Sequence, residues 1–429
     1  MSYVTRGAYT VLITVMLPFL LLKMGVRILF DRQGVRKSGP RRRFFERFGW
    51  VPADVKRDGV VFHVVSVGET IAAMNLIAEF LKAHPDLPVV VTCTTPTASN
   101  LIQERLQPQV THCYLPFDHP LFIAIFLRRL HPKAIYIMET ELWPNLSNAC
   151  HRRNIALVLL NARLSKKSYN GYRKFKAVVR PMLQTFDCVS CQTARDADYF
   201  LRLGLPSERC QTTGNLKFDL TINDGAMERA HALSQAIFGE HPVWIAASTH
   251  TGEDAVILQA HTILLAQHPD LVLVLAPRHP QRAEAIAELI DKANLHAIRR
   301  TENRPMADSA QIFMLDTIGE LLDFYAMSRV CFVGGSLVKH GGHNPLEPAA
   351  LEKPILSGPY VHNFTKVYED LCEEGGAVIV KNADALALQV AQWLDHQEKA
   401  DEVGKNARRY LEKHRGATLR SLNLLAKYA

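Results

Sequence analysis

Short apolar runs rich in Val and Ile recur through the first half of the chain, at residues 60–65, 89–93, 134–138, 155–160 and 186–191. Between them the apolar positions recur with helical spacing, so the pattern predicts βαβ alternation and a largely parallel sheet covered on both faces. The second half repeats the scheme at 243–247, 271–276, 312–315, 330–334 and 354–356, with 377–380 as a further strand. The expected fold class is therefore α/β, with two doubly wound, Rossmann-like domains. The polar, weakly patterned stretch 221–240 marks the boundary, and the helical C-terminal stretch is expected to cross back over it. The predicted division is 1–30 as an N-terminal segment, 31–220 and 221–395 as the two domains, and 396–429 returning to the first. Ligands of such sheets sit beyond the carboxyl ends of the strands. The polar motifs fall at those ends, namely SVGET, TCTTPTAS, METELWPN, NARLS and QTARD, then ASTHTGED, APRHPQR, DTIGELL and GGSLVKHGGHNPLEPAA. A cleft between the domains is the expected active site.

At 429 residues, 48% hydrophobic and 21% charged, the chain is long enough for two cores and contains no repeat or low-complexity tract. The net charge of +8 adds one feature to this picture, because much of the excess lies in Lys23, Arg27, Arg32, Arg36, Lys37, Arg41, Arg42, Arg43 and Arg47. Such a cluster calls for an anionic partner, and the uncharged run 8–22 before it selects a membrane surface over nucleic acid. The run is short for a spanning helix. Charge follows it where a signal peptide would place a cleavage site, which predicts an uncleaved N-terminal anchor with the body on the cytoplasmic side. The eight cysteines are spread through apolar segments as reduced core thiols. Cys188 and Cys191 form a C-x-x-C match inside a strand-like run, where core packing is the expected role.

The residues at the strand ends carry the chemistry. Residues 334–350 hold a glycine-rich loop, Asn344 and Pro345 before a helix, then Leu346 and Glu347 in its first turn. Backbone N–H groups there can hold a phosphate and Glu347 can accept from ribose hydroxyls, or Asn344 is an N-cap and Glu347 a dipole-favoured acid. Pro277, Arg278 and His279 end another strand, where a guanidinium can meet a phosphate or simply be solvated. Gly319, between Ile318 and Glu320, permits close backbone approach to a ring, or belongs to a simple loop. Glu69 opens a helix after Gly68, which suits either a dipole-complementing acid or a general base. Glu139 and Glu141 follow an apolar strand, where acids need partners or work. Lys217 by itself reads as an ordinary surface lysine. No P-loop or G-x-G-x-x-G signature follows a strand, Ser66 lies outside a nucleophile elbow, and His63, His112 and His119 assemble no metal set, so no metal is expected.

SVGE, TTPTAS, PFD, ETELWPN, NARLS, TGNLKFD, PRHP, GEL and GGHNPLEPA, in this order and spacing, resemble the 3-deoxy-D-manno-octulosonic acid (Kdo) transferases of glycosyltransferase family 30. The resemblance spans nearly the whole chain. It implies the GT-B architecture and a metal-independent, inverting transfer of Kdo from CMP-Kdo to the lipid A precursor (lipid IVA) in lipopolysaccharide biosynthesis, without a cofactor. It further implies an enzyme held at the inner membrane by its N-terminal anchor and by anionic lipids. Carried over position by position, the proton acceptor falls on Glu69 and the transition-state stabilisers on Glu139 and Lys217. The CMP contacts fall on Pro277 and Arg278, on Ile318, Gly319 and Glu320, and on Asn344, Pro345, Leu346 and Glu347. The competing expectations are another GT-B enzyme using a UDP-sugar, either a transferase or a 2-epimerase, and a membrane-attached binding module without activity.

Overall fold

The computed structural model describes residues 3–30, 43–52, 54–220, 222, 225–307 and 309–429. The chain divides into two units, one of residues 1–219 with 415–429 and the other of residues 220–414.

In the first unit the strands are Val60–His63 (β1), Val89–Cys93 (β2), Thr111–Tyr114 (β3), Ala134–Met138 (β4), Ala156–Ala162 (β5), Cys188–Cys191 (β6) and Cys210–Thr212 (β7). They form one sheet in the order β3-β2-β1-β4-β5-β6-β7, parallel throughout. Alternate side chains enter opposite cores. Val60, Phe62, Tyr136 and Met138 pack on one face and Val61, Ile135 and Ile137 on the other. That two-sided burial is why these strands read as unbroken apolar runs.

The second unit repeats the plan with Val243–Thr249 (β8), Val272–Pro277 (β9), Ala297–Arg299 (β10), Ile312–Met314 (β11), Val330–Val333 (β12), Ile355–Ser357 (β13) and Ala377–Ile379 (β14). The order is β10-β11-β9-β8-β12-β13-β14, again parallel. In both sheets the chain order reverses beside the first strand, which opens a crevice at the carboxyl ends there.

Several strand-end motifs prove to be helix starts. Ser66 caps the helix Val67–Ala83, Thr95 caps Pro96–Arg105, Ser165 caps Lys166–Lys174 and Thr193 caps Ala194–Leu203, each through its side-chain oxygen. The PFD and WPN motifs meet as well. The buried Asp118 carboxylate accepts from the backbone N–H of Asn145 (2.9 Å) and Leu146 (2.8 Å), satisfying the start of the helix Pro144–His151.

The structure departs from the sequence reading in three places. Strands β3, β7 and β10 are additional, and all three are sheet edges. Their residues, THCY, CQT and AIR, are half polar because one side of an edge strand faces no neighbour. The returning segment is shorter than 396–429. The helix Gln397–Lys413 stays with the second unit, burying Ala400, Gly404, Ala407, Tyr410 and Leu411, and a Cβ at Gly404 would lie 1.9 Å from the Glu352 carbonyl oxygen. Only the helix Ala417–Leu425 joins the first unit, capped by the Asp219 carboxylate, which accepts from Gly416 N–H (2.6 Å) and Thr418 N–H.

The third concerns the N-terminal region. Arg43 and Arg47, read as part of the basic cluster, are internal. Arg43 makes a two-pronged pair with the buried Glu46 (2.8 and 2.9 Å), Arg47 donates to the carbonyls of Thr94 (2.5 Å) and Leu115 (3.2 Å), and both guanidinium groups lie over the Tyr114 ring. Arg32, Arg36, Lys37, Arg41 and Arg42 lie outside the described residues. Residues Tyr3–Phe30 form one 28-residue helix exposing Val11, Leu12, Val15, Met16, Phe19, Leu22 and Val26. Thr10 donates to the Asn145 side chain (3.2 Å), tying that helix to the first unit. Among the described residues no helix is long and apolar enough to cross a membrane. The uncharged run 8–22 rises only about 22 Å, against a hydrocarbon core of roughly 30 Å.

Candidate active site

In the first unit the acids and Lys217 gather at the carboxyl ends of β1, β4 and β5. Glu69 stands three residues after its cap, so its carboxylate turns back on the chain. Its Oε2 accepts from Val65 N–H (2.8 Å), its Oε1 from the Ser66 hydroxyl (3.2 Å), and its own N–H donates to Ser66 Oγ (3.4 Å). This is the reciprocal arrangement of a capping box, with the carboxylate reaching one residue further back. Burial raises its pKa from 4.5 to about 7, the nearby Glu139 and Glu141 charges push the same way, and the two hydrogen bonds oppose them. Glu69 is thereby a helix cap and also a carboxyl group that titrates near neutrality.

Glu139 follows β4 with φ of +57°, a left-handed backbone uncommon for a side-chain-bearing residue, while its N–H continues the ladder to Leu160 O at 2.8 Å. Strained residues of this kind concentrate at functional sites. Its Oε1 meets Lys217 Nζ at 3.0 Å, with both side chains less than one-fifth exposed. Lys217 is therefore not the surface lysine its residue type suggests. It lies in the short turn Leu216–Phe218, pinned by Asn215, which caps it, and by the buried Asn161 of NARLS, whose Oδ1 accepts from Leu216 N–H at 3.0 Å. Glu141 has its pKa raised by burial and then by Glu139. Glu69, Glu139, Glu141 and Lys217 thus form one partly shielded cluster of charges.

In the second unit the sequence-predicted donor contacts occupy the ends of β9, β11 and β12. Pro277 closes β9 and Arg278 N–H donates to Thr249 O (3.1 Å). Ile318 is 85% exposed, an apolar side chain held out beside Gly319, whose φ of +98° requires glycine. Glu320 is engaged from two sides, by Arg300 (2.9 and 3.0 Å) and by the Thr317 hydroxyl (2.5 Å). Asn344 Oδ1 accepts from Leu346 N–H at 3.2 Å at the start of the short helix Leu346–Ala350, whose N-cap position is Pro345 and not Asn344. Glu347 is half-buried. Burial raises its pKa, while the Asn344 hydrogen bond and the Arg278 charge lower it, which places the three side chains in one neighbourhood.

Two features escaped the sequence reading. Glu253, in the polar THTGED motif, is fully buried, and its carboxylate accepts four backbone N–H groups, from His250 (2.8 Å), Gly335 (2.7 Å), Ser336 (2.9 Å) and Leu337 (2.8 Å). It clamps the loop after β8 to the glycine-rich loop after β12. Nearby, His250, His340 and His343 bring their ring nitrogens together within 4.8 Å. His340 and His343 stand three residues apart, but the set is not announced by the sequence because another loop, ninety positions earlier, supplies His250. His63 and His112 are core residues instead, bonded to Thr92 (2.9 Å) and to Val91 O and Ser99 (2.7 and 2.8 Å), and burial lowers both pKa values to about 3. All eight cysteines are free thiols.

Known proteins bear on this geometry. Residues 42–220 match the family described as 3-deoxy-D-manno-octulosonic-acid transferase (kdotransferase), and residues 242–410 match glycosyl transferases group 1. The 3-deoxy-D-manno-octulosonic acid transferase of Haemophilus influenzae is 38% identical over 99% of this chain and 98% of its own length. That of Bordetella pertussis is 32% identical over 98% of both. Among solved structures, the UDP-GlcNAc 2-epimerase of Neisseria meningitidis bound to UDP-GlcNAc superposes with a TM-score of 0.60 over 86% of this chain and 100% of its own. At 14% identity that likeness speaks for the two-sheet, GT-B-like fold alone. With 38% identity to the Haemophilus influenzae transferase over nearly the whole length of both, the chain belongs to the 3-deoxy-D-manno-octulosonic acid transferase family.

Proposed function

We propose that this glycosyltransferase moves Kdo from CMP-Kdo onto a hydroxyl of the lipid A precursor with inversion at the anomeric carbon, and that Glu69 is the general base. The observation that carries the reading is the Glu69 carboxyl group. It is fixed by two hydrogen bonds at a helix start and titrates near 7, where a base both exists in ionised form and retains proton affinity. A carboxylate offers about four acceptor positions, so the two bonds leave room for a substrate hydroxyl.

In this mechanism Glu69 takes the proton of the acceptor hydroxyl as its oxygen attacks the anomeric carbon, and CMP departs from the opposite face. The Lys217–Glu139 pair stabilises charge in the transition state, with Glu139 directed by its left-handed backbone. In the second unit Arg278 and the side-chain amide of Asn344, beside Pro345 and Leu346, receive the departing phosphate, so the transfer itself calls on no metal and no cofactor. Glu347 accepts from the ribose, and Ile318, Gly319 and Glu320 border the nucleoside, with Ile318 supplying the apolar contact its exposure leaves available.

The N-terminal helix, with its row of exposed apolar side chains, is the membrane anchor in this reading. It seats the protein on the anionic cytoplasmic face of the inner membrane together with the basic segment.

Incubation with CMP-Kdo and tetraacylated lipid A precursor, read by mass spectrometry, is expected to show Kdo added to the lipid. Turnover with UDP-sugars and none with CMP-Kdo would overturn the donor assignment.

A further inference from the structure

His250 follows β8, while His340 and His343 lie on the glycine-rich loop after β12. His250 Nε2 and His343 Nε2 face each other at 2.8 Å. The His250 and His340 rings stack with centroids 3.6 Å apart, and the His340 and His343 rings are 5.9 Å apart. We propose that these three histidines form a binding site for a divalent transition-metal ion that prefers imidazole, with Zn2+ as the expected occupant and a fourth position open to an exchangeable ligand.

A tetrahedral zinc ion with Zn–N bonds of about 2.0–2.1 Å holds its ligand nitrogens roughly 3.3 Å apart. The distances here, from 2.8 Å to at most 4.8 Å, bracket that value, and the rings, now stacked or nearly parallel, must turn for their nitrogens to converge on one ion. Two facing Nε2 atoms must otherwise share a single proton, and a bridging cation takes the place of that proton.

The scaffold is also built for the purpose. Glu253 gathers the N–H groups of His250 and of Gly335, Ser336 and Leu337, so the two loops that supply the ligands are fixed relative to each other. Gly335, at φ of +68°, leaves the space that the His343 ring fills, because a Cβ there would stand 2.8 Å from His343 Cδ2. The ion ties the loop after β8 to the loop that continues into Asn344, and it takes no part in the proton transfer at Glu69.

The test reads metal binding and so stands apart from the transfer assignment. The full chain, carrying no histidine tag and stripped by chelation, is titrated with Co2+ as a spectroscopic probe and then with Zn2+. One equivalent of Co2+ with the visible absorption of a four-coordinate ion, displaced by Zn2+, is expected. His340→Ala removes an exposed ring and leaves the core intact, as circular dichroism will confirm, and it should weaken Co2+ binding by at least about 10-fold, the scale of loss from disturbing a metal site. His250→Ala should do the same. Absence of saturable binding, or equal affinity in the parent and both variants, overturns the proposal.

Discussion

Glu69 answers two demands with one side chain, because the bonds that close its helix also hold it where a base is wanted. The sign of its titration follows from burial. Below about pH 7 the carboxyl is protonated and cannot accept a proton, so kcat should rise with pH through about 7 and level off above it. Stability runs the other way: the raised pKa contributes in full below the ordinary value of 4.5 and is lost as pH climbs through about 7. Glu69→Gln should lower kcat by about 10²–10⁴-fold and abolish the ascending limb of the pH–rate profile. A variant with normal turnover would remove Glu69 from the chemistry. Glu139→Gln provides a separate check. It deletes a neighbouring negative charge that raises the Glu69 pKa, so the ascending limb should move to lower pH while maximal kcat falls with the loss of the Lys217 pair. A limb that stays in place would mean the two carboxylates do not sense each other.

At the scale of the element, the second unit's loop after β12 depends on one buried acid. Four N–H groups converge on Glu253, and each buried donor left without a partner costs about 1–3 kcal/mol. Glu253→Ala should therefore destabilise the second unit by at least about 2 kcal/mol, visible as a lower melting temperature of that unit alone. An unchanged melt would show that water satisfies the loop. This acid also marks where sequence reading stops. THTGED reads as one more polar motif at a strand end, since nothing within six residues reveals that three of the four donors Glu253 satisfies come from a loop more than eighty positions away. Central strands such as β1, β4, β8 and β9 were legible because both faces are buried and the apolar run is unbroken. The edges β3, β7 and β10 were not, because their outer sides break the run. Glu139 stood out as an acid after an apolar strand, but Lys217 was legible only through the family's motifs, as their pairing joins residues 78 apart across β4 and the turn after β7.

For the whole molecule, the division at 219/220 and 414/415 makes the second unit continuous in sequence and the first one interrupted. The short helix Ala417–Leu425 is the part of the first unit that arrives last, and it brings far more than its length suggests. Ala417, Leu424 and Leu425 are buried in the core face that also contains Val60, Phe62 and Leu76. Arg420 donates to Thr213 O at 2.7 Å, and Asp219 takes both Gly416 N–H and Thr418 N–H. Burying the two leucines alone is worth roughly 3–6 kcal/mol, a large share of the 5–15 kcal/mol that typically holds a folded domain. A chain ending at His414 should consequently lose or strongly lower the melting transition of the first unit, and keep that of the second near its original temperature. Residues 220–414 expressed alone should show that same second transition, because their sheet and its covering helices, including Gln397–Lys413, lie within one stretch. Differential scanning calorimetry of the three proteins separates the cases. If both transitions of the shortened chain fell together, the two units would have to be one cooperative body and the last helix a support for both.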